Sequence, residues 1–295
     1  MPSIPLVQPM TISCPNCGKS VSIKSRLPWG AKVRCKGCDR SFEPVTSQEW
    51  SGLQLAGGRY RVTAKLGEGG MGFVYRALDQ NIDSDVVIKV PRQAMMDDPE
   101  FAGRFTREIR SLVKLSHPHI VKVTDVGNYD GIPFAVMQYL AGGSLEDRRP
   151  VASSGHVLPC DPRSVSRWLL AVAEALDYIH TQGYVHRDVK PGNILFDTQG
   201  HAFLSDFGVA KVLASAENPA PSQTAMTGAG MVLGTPEYMA PELIMGDQFD
   251  GRVDQYALAI TVYELLCGRR PFEDETKTKV LVLHTLQAPA PLTAW

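Results

Sequence analysis

Three polar residues, Asp188, Lys190 and Asn193, interrupt an apolar region in the stretch HRDVKPGNIL (186–195). A carboxylate, an ammonium and an amide at such fixed offsets can move protons, neutralise anionic charge and bind cations. The same groups can also close a hydrogen-bonded turn. The rest of the sequence has to decide between a catalytic site and a structural turn.

A glycine-rich segment, LGEGGMGFV (66–74), has glycines at 67, 69 and 72 between two predicted strands. Glycine allows backbone N–H groups to approach phosphate oxygens without a side-chain clash. Taken alone, this pattern fits a plain glycine-rich hairpin equally well. The strand that follows the glycines excludes the dinucleotide-binding form, in which a helix follows them.

Four of the six cysteines form a regular pattern, CPNC (14–17) and CKGC (35–38), with seventeen residues between the pairs. Each CxxC turn offers two thiolates, and the loop can bring the turns together around one zinc ion. Disulfides are the alternative, but a reducing cytoplasm and the regular pairing favour the metal. The predicted zinc ligands are Cys14, Cys17, Cys35 and Cys38.

The predicted elements change from strands to helices along the chain. Alternating apolar residues predict strands at 59–66, 73–78, 85–90 and 132–140. Periodic apolar residues predict a helix at 97–115, with Glu108 beside its inward stripe, and a long helix after Asp161. The order predicts a small sheet-rich lobe followed by a larger helical lobe.

Composition excludes several other classes of protein. Hydrophobic residues make up 44% of the chain and charged residues 21%, as in an ordinary soluble globular protein. The net charge of −1 gives no electrostatic reason for the whole surface to bind nucleic acid or an anionic membrane. No apolar run approaches the roughly 20 residues of a membrane helix, and the N-terminus does not resemble a signal peptide. A cytoplasmic location is therefore expected.

Six motifs occur together in one order. They are GEGGMGFV (67–74), VVIK (86–89), the helix with Glu108, HRDVKPGN (186–193), DFG (206–208) and APE (240–242). The stretch from about Tyr60 to Phe272 resembles a serine/threonine protein kinase, particularly the eukaryote-like (Hanks-type) kinases of bacteria. The resemblance implies an α+β, bilobal kinase fold with ATP and Mg²⁺ (or Mn²⁺) as cofactors and proteins with Ser or Thr as substrates.

The resemblance assigns catalytic roles to the residues of the opening stretch. Asp188 would orient or accept the proton of the attacking hydroxyl group, and Lys190 would lie near the transferred phosphoryl group. Lys89 would bind the α- and β-phosphates and pair with Glu108. The residues that would hold magnesium are Asn193 and Asp206.

The nucleotide pocket follows from the same resemblance. Met137 would stand at the gate of the adenine pocket, while Gln138 and Leu140 would offer backbone groups to the base. Val87 occupies a position where the family has alanine, which adds two methyl groups over the adenine. The remaining expected contacts are Leu66, Gly67, Glu68, Gly69, Gly70, Met71, Gly72, Phe73 and Val74.

The acceptor side resembles the serine/threonine branch of the family, because a lysine follows Asp188 by two residues and GTPEY occupies 234–238. Thr235 would contact Asp188 and Lys190 beneath the acceptor site. Asp254 would hold the backbone of the catalytic loop.

Arg187 implies a regulatory role for the loop between DFG and APE. Its cation would face that loop, and a phosphate there would pair with it bidentately. By resemblance to bacterial kinases, Thr227 is the expected main site of autophosphorylation, and Thr224 is the second. A homodimer could carry out this reaction in trans.

The end of the sequence departs from the family. The glutamate of APE, Glu242, pairs with a later arginine in kinases, yet no arginine follows Arg270 here. Glu242 is therefore expected to be buried without a partner, and the last helices of the large lobe are expected to be missing.

The predicted domains are a zinc-ribbon-like module (11–43), a linker (44–58) and a C-terminally incomplete kinase domain (59–295), which should bind ATP without residues 1–50. The basic module has seven Lys or Arg and two acidic residues between Cys14 and Glu43. A docking or structural role is favoured for it over nucleic-acid binding. Two function classes remain for the chain: an active kinase and a catalytically inactive kinase-like scaffold.

Overall fold

The protein is described by a computed structural model that covers residues 10–14, 16–23, 32–42, 50–69, 72–96, 101–206 and 235–294. The N-terminal module contains two small antiparallel hairpins. The first pairs β1 (Met10–Ser13) with β2 (Ser20–Ile23), and the second pairs β3 (Val33–Arg34) with β4 (Ser41–Phe42). Each hairpin encloses one of the CxxC turns, so the strands bring the four cysteines together.

A six-stranded antiparallel sheet forms the next layer, in the order β5-β6-β7-β8-β10-β9. Its strands are β5 (Gln54–Leu55), β6 (Tyr60–Gly69), β7 (Gly72–Asp79), β8 (Ser84–Pro91), β9 (Val123–Tyr129) and β10 (Ile132–Gln138). All the pairings join neighbouring strands in antiparallel register, which confirms the predicted sheet-rich lobe.

The helices of the described chain fall mainly after this sheet. They are α1 (Gln93–Met96), α2 (Phe101–Leu112), α3 (Pro162–Thr181), α4 (Pro241–Met245), α5 (Arg252–Cys267) and α6 (Lys277–Leu286). A short hairpin of β11 (Ile194–Phe196) and β12 (Ala202–Leu204) follows α3, and the catalytic loop leads into it. Helix α3 begins as predicted, because Asp161 caps it by accepting a hydrogen bond from Arg163 N at 2.8 Å.

Two hydrophobic clusters hold these layers. The larger one joins the apolar face of α2 to α3, α5 and the β11–β12 hairpin, so it runs from the sheet lobe into the helical lobe. Phe101, Phe105, Ile109 and Leu112 form the buried face of α2, at the predicted spacing. The smaller cluster covers the opposite face of the sheet. The packing of both faces fixes the register of the strands, because a slip of one residue would move every side chain to the opposite face, where it would not fit the other cluster.

The described part of the predicted linker, from Trp50 to Gly58, belongs to the sheet lobe. Trp50 is 2% exposed and packs against Tyr75, Tyr129 and Phe134, with ring centroids 5.6–6.3 Å apart. Strand β5 pairs with the start of β6. The folded unit therefore begins at or before residue 50, earlier than the predicted boundary at 59, because apolar burial outweighs the turn-forming composition of this segment.

None of the helices in the described residues has the length and apolar character needed to cross a membrane.

Candidate active site

Asp254 fixes the backbone of the loop that contains Asp188. Its carboxylate is fully buried at the start of α5 and accepts hydrogen bonds from His186 N and Arg187 N, both at 2.7 Å. His180 Nε2 lies 2.8 Å from the same carboxylate. These contacts hold Arg187 in a left-handed conformation, φ 67°, that costs a non-glycine residue on the order of 1–3 kcal/mol. The contact predicted for Asp254 is therefore present.

Three side chains meet at the Asp188 carboxylate. Thr235 Oγ1 donates to Oδ1 at 2.8 Å, while Lys190 Nζ and Asn193 Nδ2 reach Oδ2 at 2.8 and 2.9 Å. Lys190 also donates to Thr235 Oγ1 at 2.7 Å. The contacts predicted between Thr235, Asp188 and Lys190 are present. Both carboxylate oxygens are thus aligned by donors that come from two separate segments of the chain.

Lys89 and Asp206 face each other across the two lobes. Lys89 extends from β8, its side chain is 9% exposed, and its Nζ lies 2.8 Å from Asp206 Oδ1. Asp206 has a left-handed backbone, φ 67°, that directs its carboxylate toward the sheet. Burial acts to raise the pKa of Asp206, but the charge and hydrogen bond of Lys89 outweigh it, so that pKa lies below its usual range.

The predicted pairing of Lys89 with Glu108 is corrected by this contact. Among the ion pairs of the described residues, Lys89 is joined to Asp206 and not to Glu108. Glu108 lies half-buried on α2, and its backbone carbonyl accepts a bond from Ser111. The Asp206 carboxylate, at 2.8 Å, already neutralises the Lys89 ammonium. The position of α2 against the sheet decides whether the Glu108 carboxylate can also reach Lys89.

Asn193 and Asp206 present oxygen atoms on neighbouring segments, as a magnesium site requires. Asn193 uses its amide nitrogen for the backbone and side chain of Asp188, which leaves its amide oxygen without a donor among the described residues. The Asn193 backbone carbonyl accepts two bonds from Ser205, next to Asp206 in the chain. Carboxylate and amide oxygens are hard ligands that suit Mg²⁺, so the residues present fit this ion.

The glycine-rich loop is the turn between β6 and β7. Gly69 pairs with Gly72, and Gly70 and Met71 lie outside the described residues. Gly72 has a φ of 149°, and a Cβ there would lie 2.0 Å from the carbonyl oxygen of Val90. Position 72 therefore requires glycine, because any side chain would push β7 away from β8.

The predicted adenine-pocket residues lie on adjacent strands. Met137 of β10 pairs directly with Val87 of β8, and Met137 is 5% exposed. Gln138 N donates to Lys122 O at 2.9 Å, and Leu140 follows as a half-buried residue. The sheet thus brings the glycine-rich loop, Val87, Lys89 and the end of β10 onto one side of the cleft between the lobes.

Comparison with known proteins decides the family. The sequence profile of the protein kinase domain matches residues 60–291. The chain belongs to the protein kinase family. A serine/threonine-protein kinase of Myxococcus xanthus is 38% identical over 243 residues, which are 80% of this chain and 42% of that protein. The kinase PrkC of Bacillus subtilis is 37% identical over 234 residues, 79% of this chain and 34% of its own length.

Solved structures agree with the kinase fold. The kinase domain of Mycobacterium tuberculosis PknI aligns with a TM-score of 0.56 at 33% sequence identity, and the alignment covers 83% of both chains. Together with the family match, this likeness confirms the bilobal α+β kinase fold that the motifs predicted. This chain spans less than half the length of the curated kinases it matches.

In the N-terminal module, the four cysteine sulfur atoms all lie within 4.8 Å of one another. Cys14 Sγ is 3.7 Å from Cys38 Sγ, and Cys17 Sγ is 3.6 Å from Cys35 Sγ. A tetrahedral zinc site with Zn–S bonds of about 2.3 Å has sulfur atoms about 3.8 Å apart, whereas a disulfide needs about 2.05 Å. All four cysteines are free thiols here, and their separations fit zinc.

The two CxxC turns have equivalent backbone geometry. Gly18 N donates to the Cys14 carbonyl at 2.9 Å, and Asp39 N donates to the Cys35 carbonyl at 2.8 Å. Gly18 and Asp39 both have left-handed φ values, 71° and 61°. The N–H of Gly37 donates to Cys35 Sγ and contributes most to lowering the Cys35 pKa to about 7. That bond favours the thiolate, which is the form that binds a metal.

The residues predicted to be regulatory are described only in part. Thr224 and Thr227 lie outside the described residues. Arg187 is described, and its guanidinium stacks over the Phe249 ring at 4.7 Å. Burial lowers the Arg187 pKa, and the charge of Asp254 acts in the opposite direction. Among the ion pairs of the described residues none contains Arg187, so no carboxylate in that part of the chain competes for it.

Sequence reasoning missed a buried network around Glu264, near the segment that carries Thr235. Glu264 of α5 accepts bonds from Arg149 Nη1 at 2.6 Å and from the Tyr238 hydroxyl at 2.5 Å. Its only sequence signal was one carboxylate within the apolar run 256–267. Glu242, by contrast, was expected to be buried but is half-buried in the first turn of α4, where a carboxylate is favoured by the helix dipole.

Proposed function

We propose that this chain is an ATP-dependent serine/threonine protein kinase that transfers the γ-phosphoryl group of ATP to Ser or Thr hydroxyl groups of proteins. The observation that carries the proposal is the Asp188 carboxylate, held by Lys190, Asn193 and Thr235 within 2.9 Å. A structural turn would not require a threonine from a segment 47 residues away. The named relatives, which are serine/threonine-protein kinases, support the same reaction class.

The roles that we propose for the residues come from the resemblance to kinases and are supported by their positions. Asp188 orients the acceptor hydroxyl group, whose oxygen forms a bond to the γ-phosphorus while the bond to the β-phosphate oxygen breaks and ADP leaves. Asp188 also receives the proton of that hydroxyl group. Lys190 stabilises the charge on the phosphoryl oxygens. Lys89 binds the α- and β-phosphates, for which it must give up part of its contact with Asp206.

Asn193 and Asp206 would hold Mg²⁺ or Mn²⁺ through their oxygen atoms. When bound, this ion would supply positive charge that stabilises the phosphates of ATP. Asp206 is suited to the task because its lowered pKa keeps it ionised at neutral pH. Thr235 and Lys190 would shape the acceptor site on the other side of Asp188. A substrate hydroxyl group bound there would replace part of the hydrogen bonding among Thr235, Lys190 and Asp188.

The decisive experiment is a transfer assay with radioactive ATP, a generic protein substrate and the variant Asp188→Asn. Turnover is expected to fall roughly 10²–10⁴-fold, while the affinity for Mg-ATP stays close to that of the unaltered chain. Undiminished transfer in Asp188→Asn would remove this residue from its role. An unaltered chain that binds Mg-ATP but never transfers phosphate would favour the kinase-like scaffold instead.

We further propose that a phosphate on Thr227, with Thr224 as the second site, pairs with Arg187. The stacked ring of Phe249 covers one face of that guanidinium and leaves its N–H edge for a bidentate partner. Peptide mass spectrometry of active protein should find Thr227 modified, and Thr227→Ala should lower activity. A rate of modification that rises with protein concentration would indicate transfer between two chains, whereas an unmodified segment in active protein would refute the mechanism.

The N-terminal module is proposed to bind one zinc ion through Cys14, Cys17, Cys35 and Cys38. We propose a docking or structural role for the module, because its basic composition alone is weak support for nucleic-acid binding. A cytoplasmic location suits these ligands, since thiols stay reduced there.

A further inference from the structure

Arg92 connects strands that are not neighbours in the sheet. It follows β8 directly, and its Nε donates to the Gly69 carbonyl at the end of β6 at 2.8 Å. Its Nη2 lies 2.9 Å from Glu68 Oε1. Strand β7 lies between β6 and β8, so the Arg92 side chain crosses β7 to reach the glycine-rich turn.

Phe73 lies in the middle of this crossing. Its ring belongs to β7, one residue after Gly72, and packs against the small core cluster of the sheet. The Arg92 guanidinium lies 5.5 Å from the ring centroid, and Lys65 Nζ lies 4.8 Å from it. Cations at these distances from an aromatic ring are attracted to it. The ring therefore guides the Arg92 side chain toward the turn.

Glu68 is bound by both cations. Lys65 Nζ lies 2.8 Å from Glu68 Oε2, opposite the Arg92 contact on Oε1. The hydrogen bond from Lys65, together with the nearby charges, holds the pKa of Glu68 below its usual range. Glu68 is thus an ionised carboxylate at the end of β6, next to the turn that would cover the phosphates of ATP. Without neutralisation it would repel them.

We propose that Arg92 is a positioning residue for the nucleotide, which fastens the glycine-rich turn to β8 and neutralises Glu68 beside the phosphate site. The clasp consists of Arg92, Lys65, Glu68 and Phe73. It acts through the turn and touches no reacting atom, so its effect falls on ATP binding rather than on phosphoryl transfer. This inference rests on the proposed kinase function.

Arg92→Ala in the full chain tests the clasp. The KM and the directly titrated Kd for Mg-ATP are expected to rise about three- to tenfold, since several weak, solvent-screened contacts are lost together. The kcat at saturating ATP should stay within about twofold. Arg92→Lys should restore part of the affinity. Arg61→Ala is the matched control, because Arg61 is an exposed arginine on β6, the strand that carries Glu68.

Two further measurements distinguish the effect of the clasp on ATP affinity from an effect on overall stability and from an effect of charge alone. The nucleotide-free melting temperature of Arg92→Ala should stay within about 2 °C of the unaltered chain. The double variant Glu68→Gln with Arg92→Ala should not regain the lost affinity if the clasp acts by fastening the turn. Full recovery in the double variant would overturn the fastening part of the proposal.

The outcomes distinguish this inference from the function on which it rests. No Mg-ATP binding by the unaltered chain would overturn the proposed function and the clasp together. Binding by the unaltered chain with an equal Kd in Arg92→Ala would overturn the clasp alone. A fall in kcat at unchanged KM would also overturn it, because Arg92 would then act on the transfer step.

Discussion

At the scale of single residues, His284 is a titratable group that the catalytic centre does not use. It is 4% exposed on α6, its Nδ1 lies 2.7 Å from the Tyr256 hydroxyl, and its ring meets Phe272 edge-on at 4.7 Å. Burial lowers the His284 pKa, while the backbone and the charge of Glu237, two residues after Thr235, act in the opposite direction. The ring therefore packs against Tyr256 of α5 and Phe272 in the core of the large lobe.

His284 predicts a pH dependence of stability. Its folded pKa lies below the unfolded value of about 6.5, so the unfolded state binds a proton first as the pH falls. Its contribution is complete above about pH 6.5 and is lost as the pH drops toward the folded pKa, by at most about 1.4 kcal/mol per pH unit. In urea unfolding between pH 8 and 5, the free energy of unfolding of His284→Gln should fall less steeply with decreasing pH than that of the unaltered chain.

His156→Gln is the control for that experiment, because His156 is an exposed histidine, whereas His284 is buried. The control should follow the unaltered chain at every pH. Equal slopes for the unaltered chain and His284→Gln would show that another group causes the acid loss.

At the scale of elements, the sheet of the small lobe depends on a residue that precedes its first long strand. Trp50 closes the outer face of the sheet against Tyr75, Tyr129 and Phe134. Gly52 N donates to Val62 O and Val62 N donates to Leu53 O, both at 2.9 Å, so the segment after Trp50 pairs with β6. The sheet is therefore completed by residues that resemble a linker in composition.

Trp50→Ala is expected to destabilise the protein by about 3–5 kcal/mol, because a fully buried aromatic side chain leaves a cavity when truncated. Trp50→Phe should retain most of the stability. The matched control is Ile82→Ala, at a residue of the same lobe that is 67% exposed. Differential scanning calorimetry provides the comparison. An unchanged melting temperature in Trp50→Ala would mean that the Trp50 side chain is not part of the folded core.

At the scale of the whole molecule, the chain joins two units that are stabilised by different means. The kinase domain has two large apolar clusters, whereas in the described part of the N-terminal module the cluster consists of Cys14, Cys35, Val21 and Cys38. A unit this small rarely buries enough apolar surface to offset the conformational entropy of folding. We therefore expect the module to fold around a metal, and the kinase domain to fold independently of the module.

Zinc removal should act on one unit only. Metal analysis of protein purified without chelator should find one zinc per chain, and Cys35→Ser should lose it. Cys160→Ser should retain it, because Cys160 is a half-buried free thiol outside the cluster. Mg-ATP affinity should be equal in all three proteins. A zinc content that Cys35→Ser leaves unchanged would refute the Cys₄ site, and a loss of ATP binding would refute the independence of the two units.

Local sequence was sufficient wherever neighbouring residues set the geometry. The CxxC turns, the cap at Asp161, the glycine at 72 and the apolar face of α2 follow from steric limits and periodicity over a few residues. The motif around Asp188, through its resemblance to kinases, indicated the candidate catalytic residues, and the short spacing within one loop brings Lys190 and Asn193 to the Asp188 carboxylate.

Tertiary structure decided the contacts between segments that are distant in the chain. Lys89 meets Asp206 rather than Glu108 because the placement of α2 against the sheet sets which carboxylate is in reach. Trp50 belongs to the core because side chains of β7, β9 and β10 surround its ring. The buried Glu264 carboxylate has hydrogen-bond donors because Arg149 and Tyr238 converge on it. The sequence by itself determined which residues could do the chemistry; the packing of distant segments, where burial and counter-charge compete, decided which of them are joined.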